Sequence, residues 1–211
     1  GVMQHIERTG VHSGDSIAVY PPQHLSQEII ETLTDYTREI AKAMNVKGLV
    51  NIQFIVVKDK VYVIEVNPRA SRTVPFMSKI TGINMVEYAT RIALGESLKD
   101  TGLPLGLVPD KGYVAIKAPV FSFSKLGLVE IKLGPEMKST GEVMGIGHTY
   151  QEALYKAVVA AHLTVPAGGN VLITVSDRDK PETAELAKGF VELGYHLICT
   201  SGTGAYFEKL G

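Results

Sequence analysis

This chain has little cysteine, no excess of charge of either sign and no long hydrophobic run. Its single thiol, Cys199, excludes an internal disulfide and fits a reducing compartment such as the cytoplasm. The 21 lysines and arginines are balanced by 22 aspartates and glutamates, so there is no electrostatic case for binding nucleic acid. No apolar run reaches membrane-spanning length and no signal peptide is visible, so we expect no membrane partner.

The composition that is present is that of an ordinary globular protein. With 211 residues and 45% hydrophobic content, the chain is long enough for one large domain or two small ones. It begins at Gly1 without an initiator methionine and stops at Gly211, just after an apparent helix. We therefore expect a piece cut from a longer polypeptide.

The first part of the chain mixes strands with amphipathic helices. Ser26 is a good N-cap for a long helix, because apolar residues recur at helical spacing from Ile29 to Met44. Asn84 is a good N-cap for a shorter helix that ends near Gly95. Later segments predict one strand at residues 113–123 and another at 127–132. A turn at Gly134-Pro135 leads into residues 140–145, and a final helix follows at residues 150–162.

After a linker at residues 165–169, the pattern changes. Residues 170–176 form a continuous apolar run, typical of a parallel strand that is buried on both faces. Pro181 begins a helix, residues 196–199 form a second strand, and residues 200–204 open a further helix. This β-α-β-α order is typical of the start of a doubly wound domain.

The most informative segment is VYVIEVNPRASR, at residues 61–72. Glu65 and Asn67 lie two residues apart on a predicted strand and therefore share a face. Arg69 and Arg72 follow at once across a proline. A carboxylate and an amide oxygen on one face, with guanidinium groups just beyond, can hold a hard divalent cation together with an anionic substrate.

A second predicted strand, residues 49–57, precedes this one and is separated from it by Lys58-Asp59-Lys60. If these three residues form a hairpin loop, the two strands pair so that residues of like character oppose one another. The expected pairs are Val57–Val61, Gln53–Glu65 and Asn51–Asn67. Four polar side chains then share one face, and a two-residue loop would shift the register and separate them.

The polar face suits magnesium better than zinc. Mg²⁺ takes oxygen ligands in an octahedral array, usually with one or two carboxylates and with room for water and phosphate. Glu65 supplies charge, and the amide oxygens of Asn67 and Gln53 add none. No histidine or cysteine lies near them in the sequence, which disfavours zinc. The alternative is a solvated strand face with an incidental acid, and the NPRASR continuation favours the cation site.

Three further groups predict anion binding, and each has a structural alternative. The polar loop at residues 12–16, HSGDS, lets backbone amides approach a nucleotide, or it is a surface turn. Arg69 and Arg72 can each hold a carboxylate in bidentate fashion, or pair with a nearby acid. Residues 200–203 and Lys180 fall where helix-end amides bind phosphate, although serine and threonine there also serve as ordinary helix caps.

Four motifs together resemble the large subunit of carbamoyl-phosphate synthase. They are GVHSGDS at residues 10–16, NIQF at 51–54, IEVNPRASRTVPF at 64–76 and GPEMKSTGEVMG at 134–145. The resemblance is to the second, carbamate-phosphorylating half of that subunit. Residues 170–211 look like the opening of the allosteric domain that follows this half, which is similar to methylglyoxal synthase.

The resemblance implies a fold for each part of the chain. Residues 1–166 would be the C-terminal part of an ATP-grasp domain, an α+β fold in which helices accompany an antiparallel sheet. Residues 169–211 would be the truncated start of an α/β doubly wound domain like methylglyoxal synthase.

The resemblance also implies roles for individual residues. The ATP contacts would be Gly10, Val11, His12 and Ser13, together with Gln53 and Glu65. The ligands of Mg²⁺ or Mn²⁺ would be Gln53, Glu65 and Asn67. The catalytic residues that hold carbamate and the transferring phosphoryl group would be Arg69 and Arg72. The contacts to the phosphate of an allosteric nucleotide such as UMP or IMP would be Lys180, Thr200 and Thr203.

The implied activity is that of an ATP-dependent ligase, in which carbamate attacks the γ-phosphoryl group of ATP to give carbamoyl phosphate and ADP. The parent enzyme would hydrolyse glutamine through a glutamine amidotransferase, either a small subunit or a fused domain. It would serve pyrimidine or arginine biosynthesis. The upstream half of the ATP-grasp fold and its adenine contacts are absent here, so we expect the chain alone to be inactive.

One position departs from the pattern of family members that ornithine activates. In those members an acidic residue follows the lysine that matches Lys117, whereas here Ala118 follows it. Glu7 and Asp15 match the other two acidic positions of that site. Because Ala118 replaces the third acid, the ornithine site is incomplete.

Two other interpretations stay open. One is another ATP-grasp carboxylate ligase, such as a biotin carboxylase or a purine-pathway enzyme, and the tail at residues 170–211 argues against it. The other is a nucleotide-binding regulatory module without catalysis. The set of Gln53, Glu65 and Asn67 argues against this second interpretation, because a pure regulator has no need of a metal site.

Overall fold

The structure, a computed structural model, describes residues 1–7, 13–123, 130–163 and 166–210. The chain divides into two compact units, Gly1–Leu163 and Thr164–Gly211. Among the described helices, none has the length and hydropathy needed to cross a bilayer.

In its described ranges, the first unit contains six strands and four α-helices. The strands are β1 (Gln4–His5), β2 (Ala18–Tyr20), β3 (Asn51–Val57), β4 (Lys60–Asn67), β5 (Val114–Val120) and β6 (Gly141–Gly147). The helices are α1 (Gln27–Ala43), α2 (Thr73–Thr81), α3 (Met85–Ala93) and α4 (Tyr150–Ala160). Two short 3-10 helices cover Ser13–Asp15 and Leu98–Thr101.

Both predicted helix starts are confirmed by their capping hydrogen bonds. Ser26 Oγ accepts a hydrogen bond from the backbone N of Ile29, at 3.3 Å, at the start of α1. Asn84 Oδ1 accepts one from the backbone N of Glu87, also at 3.3 Å, at the start of α3. The first backbone amides of a helix have no partner inside it, so side-chain oxygens at these positions favour helix initiation.

Four strands form an antiparallel sheet in the order β1-β2-β5-β6. The strand predicted within residues 113–123 is confirmed as β5, and it lies between β2 and β6. The sequence predicts no strand after the turn at Gly134-Pro135, whereas residues from Gly141 onward form β6 and pair along all of β5. Of the strand predicted at 127–132, the first three residues lie outside the described ones and residues 130–132 are not a strand.

Helix α4 covers one face of this sheet. Ala153 and Ala157 of α4 pack in a buried cluster with Ile116 and Ala118 of β5. A Cβ atom at Gly145 of β6 would overlap the backbone of α4. The small residues on both elements therefore allow a close approach of helix and strand, and this packing explains why a glycine-rich segment forms a strand here.

Helix α2 covers the opposite face. Phe76 and Ile80 of α2 pack with Tyr20 and Ala115. Because alternate residues of a strand point to opposite faces of a sheet, Lys117 lies on the same face as Ala115, toward α2.

Strands β3 and β4 form a separate antiparallel hairpin, and its predicted three-residue loop is wrong. Only Lys58 and Asp59 form the turn, with φ values of 48° and 61°. Two positive φ values are typical of the type I′ turn, whose twist matches that of a two-residue hairpin. Val57 therefore pairs with Lys60 and not with Val61.

A bulge restores the predicted pairing farther along the hairpin. The register shifts between Gln53 and Phe54, and Ile64 is the extra residue in β4. Beyond the bulge the pairs are Gln53–Glu65, Ile52–Val66 and Asn51–Asn67. The shorter loop and the extra residue cancel, so the predicted polar pairs are confirmed although the predicted loop is not.

The second unit contains two parallel strands and two helices in its described residues. They are β7 (Asn170–Ile173), α5 (Lys180–Glu192), β8 (His196–Cys199) and α6 (Ser201–Glu208). The predicted β-α-β-α order is confirmed. Pro181 lies in the first turn of α5, and Gly194 after its end has a φ of 86°, as glycine at that position usually does.

Candidate functional site

The hairpin places the three predicted metal ligands on one face. Gln53 and Glu65 are directly opposite each other, and Asn67 lies two residues beyond Glu65. Glu65 is exposed, and the other two are partly exposed. Within the described ranges, no hydrogen bond or ion pair of the protein engages these three side chains. Their oxygens are therefore available to a ligand.

This set of oxygens fits Mg²⁺ or Mn²⁺ better than a transition metal with nitrogen or sulfur ligands. Among the described residues, no group of three or more histidines, cysteines, aspartates or glutamates could hold a metal ion. A cation on the hairpin face would rest on the Glu65 carboxylate and on amide oxygens. A magnesium ion bound in that way keeps positions for water and phosphate.

The predicted nucleotide loop is described only in its last part. Gly10, Val11 and His12 lie outside the described residues. Ser13 begins the 3-10 helix that ends at Asp15. The structure therefore positions the end of this loop and leaves the predicted ATP contacts of the other three residues as a prediction.

Asp15 anchors the end of that loop to the segment before β6. Its side chain is buried, and its two oxygens accept hydrogen bonds from the backbone N of Lys138, at 2.7 Å, and of Ser139, at 3.2 Å. Burial alone would raise the pKa of Asp15, but hydrogen bonds from Ser139 and Lys138 and the charge of Arg72 hold that pKa below its usual value. The carboxylate is therefore charged at neutral pH.

Arg72 is partly buried and joins the same segments. Its Nη2 donates to Ser139 Oγ at 2.8 Å and to the carbonyl oxygen of Gly14 at 3.3 Å. Its nearest carboxylate oxygens belong to Glu142, at 3.6 Å, and to Asp15, at 3.8 Å. Pairing with nearby acids, the structural alternative for this arginine, is therefore present. The same contacts fix the plane of the guanidinium group.

Arg69 differs from Arg72. It is exposed, and its Nη1 donates to the carbonyl oxygen of its neighbour Ala70, at 3.1 Å. Within the described ranges it has no acidic partner. Of the two predicted anion-binding arginines, one is held by the protein and the other is open to a ligand.

A cavity of about 270 Å³ adjoins Arg72, and sequence reasoning did not predict it. Its charged lining residues also include Lys79 on α2, Lys117 on β5 and Glu142 on β6. Lys117 Nζ lies 2.8 Å from Glu142 Oε1. Of the two glutamates in GPEMKSTGEVMG, Glu142 was the available signal, because the pairing of β5 with β6 places it opposite Pro119, on the same face as Lys117 and diagonally adjacent to it.

The three predicted effector residues of the second unit come together at the C-terminal ends of β7 and β8. Thr200 Oγ1 lies 3.3 Å from Thr203 Oγ1, and Lys180 Nζ donates to the carbonyl oxygen of Gly202 at 2.8 Å. The Lys180 ammonium group also pairs with Asp177, at 2.5 Å. This edge of a parallel sheet is where phosphate groups commonly bind.

Comparison with known protein families finds a match in the first part of the chain. Residues 2–101 match the family described as carbamoyl-phosphate synthase L chain, ATP binding domain. This range contains the whole β3–β4 hairpin and both predicted arginines, and it ends before β5.

Three solved structures match parts of this chain. The biotin carboxylase domain of a single-chain bacterial carboxylase is 20% identical, with a TM-score of 0.51 over 70% of this chain and 39% of that one. The K. lactis urea amidolyase is 17% identical, with a TM-score of 0.53 over 66% of this chain and 10% of that one. A single-chain, multi-domain long-chain acyl-CoA carboxylase is 27% identical over 50% of this chain and 12% of that one, with a TM-score of 0.46.

Two things follow from these similarities: the fold of the matched part of this chain, and the share of each of the other proteins that the chain spans. The similarity to the biotin carboxylase domain shows an ATP-grasp fold of that type, with an antiparallel sheet and helices, which confirms the predicted fold at that level. The chain spans well under half the length of each of the three proteins.

Proposed function

We propose that this chain is part of the large subunit of carbamoyl-phosphate synthase, and that its first unit carries the metal-binding and acceptor-binding part of an ATP-grasp site. The observation that carries the proposal is the direct cross-strand pairing of Gln53 with Glu65, beside Asn67. This pairing lies within the range that matches the ATP-binding domain family. It presents one carboxylate and two amide oxygens that no other described group of the protein engages.

The proposed reaction transfers the γ-phosphoryl group of ATP to an oxygen of carbamate, giving carbamoyl phosphate and ADP. Such transfer needs little covalent chemistry from the protein, so positioning and charge neutralisation supply most of the rate enhancement. Glu65, Gln53 and Asn67 hold Mg²⁺ or Mn²⁺. The bound metal ion neutralises phosphate charge.

The two arginines have different parts in this proposal. Arg72 is already oriented by Ser139 and Gly14, so little side-chain freedom is lost when it contacts the acceptor. Arg69 is exposed at the end of β4 and closes on the transferring phosphoryl group from solvent. The loop that ends at Ser13 supplies further ATP contacts.

The second unit is proposed to be the start of an allosteric domain similar to methylglyoxal synthase. Lys180, Thr200 and Thr203 bind the phosphate of a nucleotide such as UMP or IMP. The parent enzyme works in the cytoplasm with a glutamine amidotransferase, as a separate subunit or a fused domain. Its product enters pyrimidine or arginine biosynthesis.

The test of the proposal is the Glu65→Gln variant of the intact enzyme that contains this chain. We expect loss of carbamoyl-phosphate formation, because the amide cannot neutralise the cation. Thermal stability changes little, because Glu65 is exposed and has no partner among the described residues. Glu28→Gln, at an exposed position of α1, is the matched control and should keep full activity. Unchanged turnover in Glu65→Gln removes this residue from the site.

A second candidate function is that of another ATP-grasp carboxylate ligase, which the fold shared with a biotin carboxylase domain favours. ATP hydrolysis by the intact enzyme should be compared with bicarbonate plus glutamine or ammonia, and with bicarbonate plus biotin. Carbamoyl phosphate as product supports the first candidate. ADP formation that depends on biotin, without carbamoyl phosphate, supports the second. Nucleotide binding without ATP turnover under either condition supports a regulatory module.

A further inference from the structure

We propose that Lys117 is a further anion-binding residue of the acceptor site, and that Glu142 is its internal counter-ion, which a bound monoanion displaces. The identity of the acceptor as carbamate rests on the proposed function. The existence of an anion site at Lys117 does not, because it follows from the charges and packing around the cavity beside Arg72.

The cavity lies where helix α2 and strands β5 and β6 contribute lining residues. Arg72 is the N-cap residue of α2 and Lys79 lies within the helix, seven positions later, so both are on the same side. Lys117 of β5 is paired directly with Met144 of β6, and Glu142 lies two residues before Met144 on the same face. The cavity volume of about 270 Å³ admits a small oxyanion.

Lys117 is an unusual residue for the interior strand of a sheet. Only 10% of its side chain is exposed, and its same-face neighbours on β5 are Ala115 and Pro119. A lysine is seldom buried unless its charge is paired, because desolvation of an ammonium group is costly. Its paired acid is Glu142, at 2.8 Å. If Lys117 served only to pack the sheet, the desolvation of its ammonium group would be a cost without a benefit. If it binds an anion in the cavity, the buried charge has a function.

The charges around the cavity leave one positive charge to be balanced. Glu142 Oε1 lies 2.8 Å from Lys117 and 3.6 Å from Arg72, so one carboxylate oxygen serves two cations. Asp15 provides a second acid near Arg72. Lys79 is exposed and has no acidic partner within the described ranges. Three cations thus face two acids, and a monoanionic oxyanion such as bicarbonate or carbamate restores neutrality.

Because Glu142 is shared between Lys117 and Arg72, removal of its charge distinguishes an anion site at Lys117 from an ion pair that serves only the fold. If the carboxylate competes with a ligand for Lys117, its removal strengthens anion binding. If the pair serves only packing, removal of Glu142 weakens the fold and creates no affinity for anions.

The experiment is a titration of this chain with sodium bicarbonate, observed through ¹³C-labelled methionine methyl groups. Met144 lines the cavity, and its signal is assigned with Met144→Leu. Sodium chloride at matched ionic strength is the control. We expect a saturable shift of the Met144 signal with bicarbonate and a much smaller shift with chloride. No saturable shift in the wild-type chain overturns the proposal.

Three variants then test the two residues. Lys117→Gln should weaken bicarbonate binding by roughly tenfold or more, because a hydrogen bond to a charged group is lost. Lys117→Arg should retain binding, and Glu142→Gln should strengthen it severalfold. Lys47→Gln, at an exposed position that does not line the cavity, is the matched control for a change of net charge and should have little effect.

Other results have defined meanings. Equal affinity in Lys117→Gln and the wild type overturns the proposal, as does weaker binding in a folded Glu142→Gln variant. If Lys117→Gln does not fold, the other two variants test the proposal: it stands if Glu142→Gln binds bicarbonate more tightly and Lys117→Arg retains binding, and it is overturned otherwise. If the intact enzyme forms no carbamoyl phosphate from ATP, bicarbonate and glutamine or ammonia, but this chain binds bicarbonate through Lys117, the proposed function is refuted and the Lys117 site stands.

Discussion

The buried carboxylate of Asp15 offers a quantitative test of how the first unit is held together. It bonds two consecutive backbone amides, of Lys138 and Ser139, more than 120 positions away in the sequence. The substitution Asp15→Asn keeps the shape of the side chain but replaces one acceptor oxygen with an NH₂ donor. One of the two amides then faces a donor, and neither bond has a charged acceptor.

The expected loss of stability follows from these contacts. A hydrogen bond to a charged group contributes about 1.5–3 kcal/mol, and a buried donor left without an acceptor costs about 1–3 kcal/mol. Because one amide keeps a neutral acceptor, we expect Asp15→Asn to destabilise the first unit by about 3 kcal/mol at pH 7. The loss of the attraction to Arg72, at 3.8 Å, acts in the same direction.

The direction of the pH dependence follows from the pKa of Asp15, which is lower in the folded chain than its ordinary value. A carboxyl group of this kind stabilises the fold fully above its unfolded pKa, about 3.9, and the contribution is lost as the pH falls through its folded pKa. The difference in stability between the wild type and Asp15→Asn should therefore be constant near neutral pH. It should shrink as the pH falls below about 4.

The assay is native-state amide exchange in urea, followed at the central strand β5, because a global signal would mix the two units. Glu28→Gln on α1 is a matched control that alters one exposed carboxyl group, and it should change stability little. The reasoning is refuted if Asp15→Asn matches the wild type at pH 7. It is also refuted if the difference between them persists undiminished in acid.

Two further predictions concern packing and the hairpin turn. Gly145→Ala should destabilise the first unit by about 3 kcal/mol, because its Cβ atom overlaps the backbone of Ala153. Gly141→Ala, where a Cβ atom meets nothing within 4 Å, is the control, and similar urea midpoints for the two variants would contradict the predicted overlap. Replacing Lys58-Asp59 with Asn-Gly should stabilise the fold by about 1 kcal/mol in urea unfolding, because both positions have positive φ. A lower midpoint for this double variant would argue against the type I′ turn.

The hairpin shows how far local reasoning extends and where it fails. The alternation of polar and apolar residues correctly pairs Gln53 with Glu65. The turn was mispredicted because Lys58 and Asp59 lack the Asn-Gly signal of a type I′ turn, and the bulge at Ile64 has no signature in the sequence. The predicted pairing of Gln53 with Glu65 was nevertheless correct, because each strand must keep one face apolar. This requirement fixes which side chains share a face, and it does not depend on the length of the turn.

The sequence by itself determined the local features of this protein. Helix starts at Ser26 and Asn84, the parallel β-α-β-α order of the second unit and the polar face of the hairpin all depend on residues close together in the chain. Hydrogen bonds of caps and the two-residue period of strands act over a few positions, so they can be recognised without the fold.

Only the tertiary structure decided which distant groups meet. The bonds from Asp15 to the segment before β6, and the sharing of Glu142 between Arg72 and Lys117, depend on the order β1-β2-β5-β6 and on α2 lying across it. No local pattern encodes these contacts, because they join segments between 25 and 124 positions apart in the chain. The identity of the anion-binding groups around the cavity was therefore set by the packing of the fold.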